Sequence, residues 1–427
     1  MSMRPREPKS DAAREKLRRY VPIGHKTYTP SQLVVQRAEG CWMETPEGRR
    51  LIDFTSGVLT ANLGHGHAAF EEAYARYTQG APRNCYNAVS PLEPMAAERL
   101  TANMNAPKMQ KVLWADSGSA GVIKAIWCAQ HARPDRRLIL ATRDGFHGKK
   151  GLAGDVTGDT SPNPDVVFIS FPRKEAYDID MLPQTEALAE TLIKPYRAEL
   201  ERVQQERGNP LLLITEPYLG AAGSFHPPFW HLKLLSDWCA ENDVLFILDE
   251  VQSCHGRTGD MYAYQRYGID PDIVVLGKGL GNGEPVAAVV GRSDLLDSLK
   301  FGEASDTFSG NPRACAAVLS ALDVFETEPI LENCRRMSER MKAGLCALRD
   351  EFDAARAVRG EGLVWGLEMR SPDDAEKAVL ECYREGLHLL GPLAGKTLRV
   401  SPPLVISEAE LDEGLARMRR GLSALQA

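Results

Sequence analysis

The stretch DIVVLGKGLGNGEP, residues 272–285, places one lysine, Lys278, between an apolar run and a cluster of glycines. The run Ile273–Leu276 contains no polar residue, which predicts a strand buried on both faces. A lysine at the end of such a strand is costly to bury unless it is paired or neutralised. A second apolar run, residues 244–248, ends in Asp249. Both side chains are therefore predicted at the carboxyl ends of buried strands, where ligands bind in open α/β sheets.

The composition excludes several classes of protein. The chain has 427 residues, of which 43% are hydrophobic and 26% charged, as in ordinary globular proteins of two or three domains. The net charge of −7 disfavours a nucleic-acid partner. No run of about 18 apolar residues occurs, so we predict no membrane span. The first twenty residues are charged and lack an apolar core, which argues against a signal peptide.

The nine cysteines are scattered along the chain without a CxxC pair. This spacing argues against a structural zinc site and against a secreted disulfide framework. An odd number of thiols in a chain of this size is typical of a reducing compartment, so we predict a cytoplasmic protein.

The middle of the chain alternates apolar runs with amphipathic stretches. This order predicts a mostly parallel sheet flanked by helices, an α/β fold. The predicted strands are residues 111–114, 137–141, 166–170, 211–215, 244–248, 273–276 and 286–290, and helices are predicted at 120–131 and 231–242.

The two ends of the chain differ from this middle. Residues 1–58 are predicted to form an N-terminal arm, with a charged helix at 11–20, and part of a small domain that includes a short sheet at 40–54. Residues 59–325 are predicted to form the large domain. Residues 326–427 read as the rest of a small α+β domain, with helices at 330–352, 373–385 and from Ser407, and strands at 362–369 and 397–400.

The chemistry expected of Lys278 follows from its surroundings. A lone lysine at the end of a buried strand has two uses: it reaches solvent past the edge of the sheet, or desolvation deprotonates it so that it attacks a carbonyl group and forms a Schiff base. The neighbouring glycines leave room for another molecule to approach the backbone, and the segment does not match a nucleotide-binding P-loop. Asp249 has three possible uses: to bind a metal, to cap a helix, or to pair with a cationic ring nitrogen, as beside a Schiff-base lysine.

Two further segments suggest a bound cofactor. The small residues 116–121 lie between a predicted strand and a predicted helix, where backbone N–H groups favour an anion, although such a sequence is also an ordinary helix entry. Phe146 follows another predicted strand, where its ring is placed either to stack on a flat cofactor or to pack in the core.

Taken in order, the motifs resemble those of the class III, or ornithine/GABA/ω-type, pyridoxal-phosphate-dependent aminotransferases. The resemblance covers about 350 residues. It runs through the segments EGRRLIDFTSG (47–57), LGHGH (63–67), SGS (117–119), FHG (146–148), EP (216–217), DEVQ (249–252), GRTG (256–259), Lys278, TFSGNP (307–312) and LRVSPPL (398–404).

The resemblance implies a fold-type-I architecture, in which a large domain with a mostly parallel seven-stranded sheet is joined by a small α+β domain built from both chain ends. The cofactor would be pyridoxal 5′-phosphate. Lys278 would form the Schiff base and move the proton between the substrate and the cofactor. Asp249 would pair with the ring nitrogen and Gln252 would lie near the ring hydroxyl. Phe146 and Val251 would contact the two faces of the ring.

The resemblance also implies how the phosphate and the rest of the ring are held. Ser117, Gly118 and Ser119 would surround the phosphate, while His147 and Glu216 would lie near the ring. Thr307 would complete the phosphate site from a neighbouring subunit. The family pattern therefore implies a homodimer with shared active sites, or a tetramer built from it, acting on small-molecule donors and acceptors.

Substrate contacts are expected at Arg399, which would grip a carboxylate, and at Trp42. In relatives that use glutamate, a second glutamate often stands at the position of Ala221 and gates that arginine. We therefore expect Arg399 to be permanently open to the substrate carboxylate. The reaction implied is amino-group transfer in two half-reactions. The alternatives are an aminomutase of the glutamate-semialdehyde type, a dialkylglycine-type decarboxylase, an epimerase, or a non-catalytic ligand-binding protein on the same scaffold.

Overall fold

The strands of the chain form three sheets. A computed structural model describes residues 5–426. Within that range the strands are β1 (Arg37–Glu39), β2 (Trp42–Glu44), β3 (Arg50–Asp53), β4 (Lys111–Ala115), β5 (Ile139–Thr142), β6 (Val166–Ile169), β7 (Leu212–Thr215), β8 (Leu245–Asp249), β9 (Ile273–Leu276), β10 (Ala287–Gly291), β11 (Ala355–Glu361), β12 (Val364–Met369), β13 (Leu387–His388) and β14 (Thr397–Val400).

The helices separate and cover these strands. In chain order they are α1 (Pro8–Tyr20), α2 (Ser56–Leu59), α3 (Ala68–Thr78), α4 (Leu92–Met104), α5 (Gly118–Ala132), α6 (Gly151–Asp155), α7 (Leu182–Ala187), α8 (Ala189–Arg207), α9 (Phe229–Glu241), α10 (Ala263–Tyr267), α11 (Ser293–Leu296), α12 (Pro312–Thr327), α13 (Ile330–Glu351), α14 (Pro372–Arg384) and α15 (Glu408–Ser423). No helix described in residues 5–426 has the length and apolar character needed to cross a bilayer.

The central sheet has seven strands in the order β4-β10-β9-β8-β7-β5-β6. Its members are the seven strands predicted from the sequence. Neighbours from β9 to β6 are parallel, whereas β10 runs antiparallel to both β9 and β4. A parallel connection needs a crossover of about a dozen or more residues, usually a helix. The link from β9 to β10 contains only the 3₁₀ turn Lys278–Gly281, so β10 returns beside β9 in the opposite direction.

The prediction that β9 is buried on both faces is confirmed. Val274 and Leu276 pack into one hydrophobic cluster, and Ile273 and Val275 pack into a second one. Because alternate strand residues point to opposite faces, these clusters cover the two sides of the sheet. Two apolar layers thus fix the strand whose end presents Lys278.

Two smaller sheets are built from the ends of the chain. Strands β1, β2 and β3 form one sheet with β13, which pairs with β3 in parallel. Strands β11, β12 and β14 form an antiparallel sheet. The predicted α+β character of the chain ends is confirmed by this pairing of early and late segments. The boundaries at residues 58 and 325 stay predictions, and residues 1–4 of the N-terminal arm lie outside the described residues.

Helix α2 is a single left-handed turn. Ser56, Gly57, Val58 and Leu59 have φ values of 43°, 60°, 65° and 66°. For residues other than glycine this region of the backbone is unfavourable. Hydrogen bonds hold the turn: Ser56 Oγ donates to the carbonyl of Ser401 (2.9 Å) and accepts from Arg257 Nη2 (3.0 Å). The turn delivers Thr60 to the site described below.

Candidate active site

A cavity of about 310 Å³ lies at the carboxyl ends of the central strands. Its wall includes Lys278 after β9, Asp249 at the end of β8 and the first residues of α5. Of the eleven cofactor-binding residues predicted from the sequence, all except Thr307 line this cavity: Ser117, Gly118, Ser119, Phe146, His147, Glu216, Asp249, Val251, Gln252 and Lys278. Thr60, Asp116 and residues 283–286 complete the wall, and the sequence analysis had not predicted them as cofactor contacts.

Lys278 occupies an unusual backbone conformation. Its φ is +45°, in the left-handed region, at the start of the 3₁₀ turn that follows β9. Burial, together with the positive charge of Arg399, lowers the pKa of the Lys278 ammonium to about 8, against the attraction of Asp249 and Glu216. A larger fraction of Lys278 than of an ordinary lysine is therefore the neutral amine near neutral pH, the form that attacks carbonyl carbons.

Asp249 is held by two hydrogen bonds. His147 Nδ1 lies 2.8 Å from Asp249 Oδ2, and the backbone N–H of Val251 donates to Oδ1 (3.0 Å). The exposed fraction is 4% for Asp249 and 3% for His147, whose Nε2 has no partner among the described residues. The imidazole thus fixes the orientation of a buried carboxylate that faces the cavity. The sequence analysis placed both residues at the cofactor without detecting that they bond each other.

Glu216 lies behind this pair. Its Oε1 accepts the backbone N–H of Phe146 at 3.0 Å, which ties the end of β7 to the loop after β5. Burial raises the pKa of Glu216 to about 7, assisted by the charge of Asp249 and opposed by His147 and Lys278. Glu216 therefore lines the same cavity as Lys278 and Asp249, and its contact positions the backbone of Phe146.

Helix α5 points its N-terminus into the cavity. Ser117 caps the helix by accepting the backbone N–H of Ala120 (3.4 Å), and Gly118 follows as the first helical residue. A Cβ on Gly118 would lie 2.8 Å from Val251 Cγ1, so only glycine allows the loop after β8 to approach this closely. Backbone N–H groups at a helix N-terminus favour an anion, so binding of the phosphate at Gly118 and Ser119 stays the prediction for this end of the cavity.

Gln252 and Arg399 are hydrogen-bonded to each other. Arg399 Nη1 donates to Gln252 Oε1 at 3.1 Å. Gln252 passes over the backbone of Gly220, where any Cβ would clash with its amide. Burial lowers the pKa of the Arg399 guanidinium, although Tyr218 and Glu216 oppose this.

One expectation needs correction here. Arg399 is not permanently open, because it is only 4% exposed and has an amide partner. Gln252 lines the cavity, and its carbonyl oxygen bonds the arginine, while its place near a ring hydroxyl stays a prediction. The sequence analysis missed this contact because the two residues are 147 positions apart.

Trp42, Thr307 and Arg399 do not line the cavity, although Arg399 bonds Gln252, which does. The Trp42 indole N–H donates to Glu410 Oε1 (2.8 Å), and the guanidinium of Arg50 lies 4.6 Å from the centroid of the Trp42 ring. These contacts pack Trp42 within the small domain, so its role in substrate binding stays a prediction. Thr307 is exposed on the loop before α12, and its carbonyl accepts from Asn84 Nδ2 (2.8 Å).

The described residues offer no cluster of histidine, cysteine, aspartate or glutamate side chains suited to hold a metal ion. The metal reading of Asp249 therefore finds no support in residues 5–426. One carboxylate oxygen of Asp249 makes a local cap-like bond to the N–H of Val251, and the other bonds His147. Pairing of Asp249 with a cationic ring nitrogen stays a prediction, and the carboxylate lines the cavity where it would be needed.

Comparison with known proteins points the same way. The model of the family "Aminotransferase class-III" matches residues 23–422. An acetylornithine aminotransferase of Agrobacterium fabrum is 32% identical over 410 residues, which cover 94% of this chain and 96% of the relative. A leucine/methionine racemase of Thermococcus litoralis is 29% identical over 415 residues, covering 94% and 92%.

A solved structure has both this fold and a bound cofactor. It is an amine transaminase from an uncultivated Pseudomonas species in its pyridoxal-phosphate-bound form, with a TM-score of 0.83 and 25% identity, covering 95% of this chain and 97% of that one. The cavity lined by Lys278, Asp249 and the N-terminus of α5 has the groups that this cofactor requires. The chain belongs to the class III family of pyridoxal-phosphate-dependent aminotransferases.

Proposed function

We propose that this enzyme transfers an amino group from an amino acid or amine to a keto acid or aldehyde in two successive half-reactions, with Lys278 as the proton carrier. The observation that carries the proposal is the meeting of an amine of lowered pKa, a buried carboxylate and a helix N-terminus in one cavity. Each of these groups suits a different part of the same cofactor.

The side chains fit pyridoxal phosphate in three places. When bound, the cofactor supplies an electron sink for the negative charge that develops at the substrate Cα. Asp249, oriented by His147, would keep the ring nitrogen protonated. The first turn of α5, with Ser117 and Ser119, would hold the phosphate. Lys278 would accept and return the proton at the reacting carbon, and Phe146 would exclude water from the ring.

The pKa of Lys278 gives a testable pH dependence. Because the neutral amine is the nucleophile, the rate at which the apoenzyme captures added pyridoxal phosphate should rise with pH and level off above about 8. Stopped-flow absorbance of the cofactor measures this rate. A capture rate that is constant between about pH 6.5 and 9 would contradict the lowered pKa.

The substrate is proposed to carry a carboxylate. No carboxylate oxygen of the described residues lies within ion-pair distance of Arg399, whose Nη1 bonds a neutral amide and whose Nε has no partner. A buried guanidinium without a counter-ion favours an incoming carboxylate, which it binds with two parallel hydrogen bonds. Gln252 would have to release one N–H for this. The acetylornithine aminotransferase relative supports an amino-acid substrate.

Arg399→Ala should therefore raise KM for carboxylate-bearing donors by roughly 10²-fold, since truncating one partner of a hydrogen-bonded charge pair costs about 2–5 kcal/mol. For an amine donor without a carboxylate, KM should change little. Steady-state kinetics with a matched pair of donors provides the measurement, and Arg197→Ala, on the exposed face of α8, serves as the control. Equal losses for both donors would argue against the proposed carboxylate contact.

A second subunit is proposed to complete the site. Thr307 is exposed and lies outside the cavity of its own chain. Large apolar side chains are exposed on its loop and on the segment beside it, namely Phe301, Phe308, Tyr86 and Val89. Exposed apolar surface of this kind is typical of subunit contacts. In a homodimer this surface would be covered and Thr307 would reach the phosphate of the partner's cofactor.

An epimerase or racemase is the second candidate, favoured by the relative named for leucine and methionine racemisation. Addition of an amino donor without an acceptor separates the two. A transaminase accumulates pyridoxamine phosphate and one equivalent of keto product per site. A racemase inverts the donor while the cofactor spectrum returns to its starting state. An aminomutase would be recognised in the same experiment by the absence of that keto product, and a decarboxylase by release of carbon dioxide from the donor together with the decarboxylated carbonyl compound.

A reducing compartment such as the cytoplasm is proposed for the protein. All nine cysteines are unpaired, and seven of them are buried. Burial raises the pKa of several of these thiols, for example to about 12 for Cys254, which keeps them protonated and unreactive.

A further inference from the structure

A buried lysine outside the cavity joins helix α5 to the loop that carries Thr307. Lys124 lies on α5 and is 6% exposed. Its ammonium donates to the carbonyl of Trp114 (2.7 Å), to Asp306 Oδ2 (2.8 Å) and to Ser309 Oγ (3.3 Å). The three protons of the ammonium therefore each have an acceptor, two of them on the loop before α12.

Asp306 shapes that loop around Thr307. Its Oδ1 accepts the backbone N–H groups of Phe308 (3.1 Å) and Ser309 (2.7 Å), and its Oδ2 accepts the Ser309 hydroxyl. On the other side, Asn84 donates to the carbonyl of Thr307. The backbone of Thr307 is thus held from both directions while its side chain stays exposed. Although burial opposes it, bonding to Lys124 and Ser309 lowers the pKa of Asp306 to about 2.

Packing alone does not require these residues. An apolar side chain at position 124 would fill the same face of α5 without the cost of removing an ammonium from water. The pair instead gives the exposed loop a fixed charged attachment to a rigid helix. A loop that is bonded to a rigid helix keeps its contact residue in one position, whereas a loop without such bonds is more mobile.

We propose that Lys124 and Asp306 are positioning residues that set Thr307 for the cofactor phosphate of the partner subunit. The inference rests on the proposed function, because it requires Thr307 to act across the dimer. Helix α5 would then have two roles. Its first turn holds the phosphate of its own site, and Lys124, further along the same helix, anchors the loop that serves the other site.

The first test measures cofactor affinity of the apoenzyme. Lys124→Met and Asp306→Asn should each weaken binding of pyridoxal phosphate by about tenfold or more, since a hydrogen bond to a charged group contributes roughly 1.5–3 kcal/mol. Binding of pyridoxal, which lacks the phosphate, should not change. Lys233→Met, which breaks an exposed ion pair on α9, is the matched control. Equal weakening for both ligands, or none, would overturn the proposal.

The second test uses heterodimers in which Lys278→Ala leaves one subunit unable to bond the cofactor. When Lys124→Met and Lys278→Ala are in the same subunit, the other subunit keeps the only competent site, and that site receives its Thr307 loop from the altered subunit. About tenfold more cofactor should then be needed to reach the same absorbance of the lysine-bound form. When the two changes are in opposite subunits, the competent site receives an intact loop and should titrate as the parent. The reverse pattern, or no difference, contradicts the proposal.

Thr307→Ala in the same two arrangements separates this inference from the proposed function. If Thr307→Ala acts across the dimer and Lys124→Met does not, the positioning role is wrong and the shared site stands. If Thr307→Ala itself shows no difference between the arrangements, the shared site is wrong, and the positioning role falls with it.

Discussion

Lys278→Ala is expected to abolish transamination, with kcat falling by about 10⁴-fold or more, because the chain loses both the attacking amine and the group that moves the proton. The fold should survive the change. Burial lowers the pKa of Lys278 to about 8, so the charged lysine is a cost to the folded apoenzyme rather than a source of stability. Single-turnover absorbance with a saturating donor measures the chemical step, and thermal unfolding of the apoenzyme measures the fold.

The controls for Lys278→Ala separate chemistry from structure. Lys233→Ala removes an exposed lysine from α9 and should leave kcat and the unfolding temperature unchanged. A small primary amine added to Lys278→Ala should restore part of the activity by entering the vacated space. Turnover within tenfold of the parent enzyme would show that another group carries the proton.

Asp249→Asn is expected to lower kcat by about 10²–10³-fold, the effect of removing one preorganised charge from the place where charge develops. Asparagine has the shape of aspartate but no charge, so it would not keep a ring nitrogen protonated. Its amide also places a donor against His147, where the carboxylate oxygen now lies 2.8 Å from Nδ1. Cofactor occupancy, measured by absorbance, should stay high enough for kcat to be compared per occupied site.

Glu216 provides an internal check on this variant. The charge of Asp249 contributes to the raised pKa of Glu216, so Asp249→Asn should shift the titration of Glu216 to lower pH. Asp237→Asn, in an exposed pair with Lys233, is the matched control and should change neither property. A loss of activity that follows only the loss of bound cofactor would mean that Asp249 retains the cofactor without tuning its chemistry.

Much of the fold was predictable because buried strands have a simple sequence pattern. The seven strands of the central sheet fall within two residues of the predicted runs, since a strand covered on both faces has apolar side chains throughout. Strand β11 was missed for the converse reason. It contains Arg359, which is 2% exposed and pairs with Glu368 at 2.7 Å, and this charge interrupts the apolar pattern.

The direction of β10 was also beyond the sequence pattern. A buried strand has the same composition whichever way it runs, so only the connection decides its direction. Here the Lys278–Gly281 turn is too short for a crossover helix, and the strand runs antiparallel. The same turn gives Lys278 its positive φ and places its side chain at the carboxyl end of β9.

The sequence by itself determined the residues from which the chemistry of this protein is proposed, because Lys278, Asp249 and the small residues before α5 each follow a local pattern of strand end or helix entry. Only the tertiary structure decided how those groups are held. The bonds His147–Asp249, Gln252–Arg399 and Lys124–Asp306 join residues 102, 147 and 182 positions apart. Local patterns describe a residue's own strand or helix, whereas such pairs depend on which elements the folded chain brings into contact.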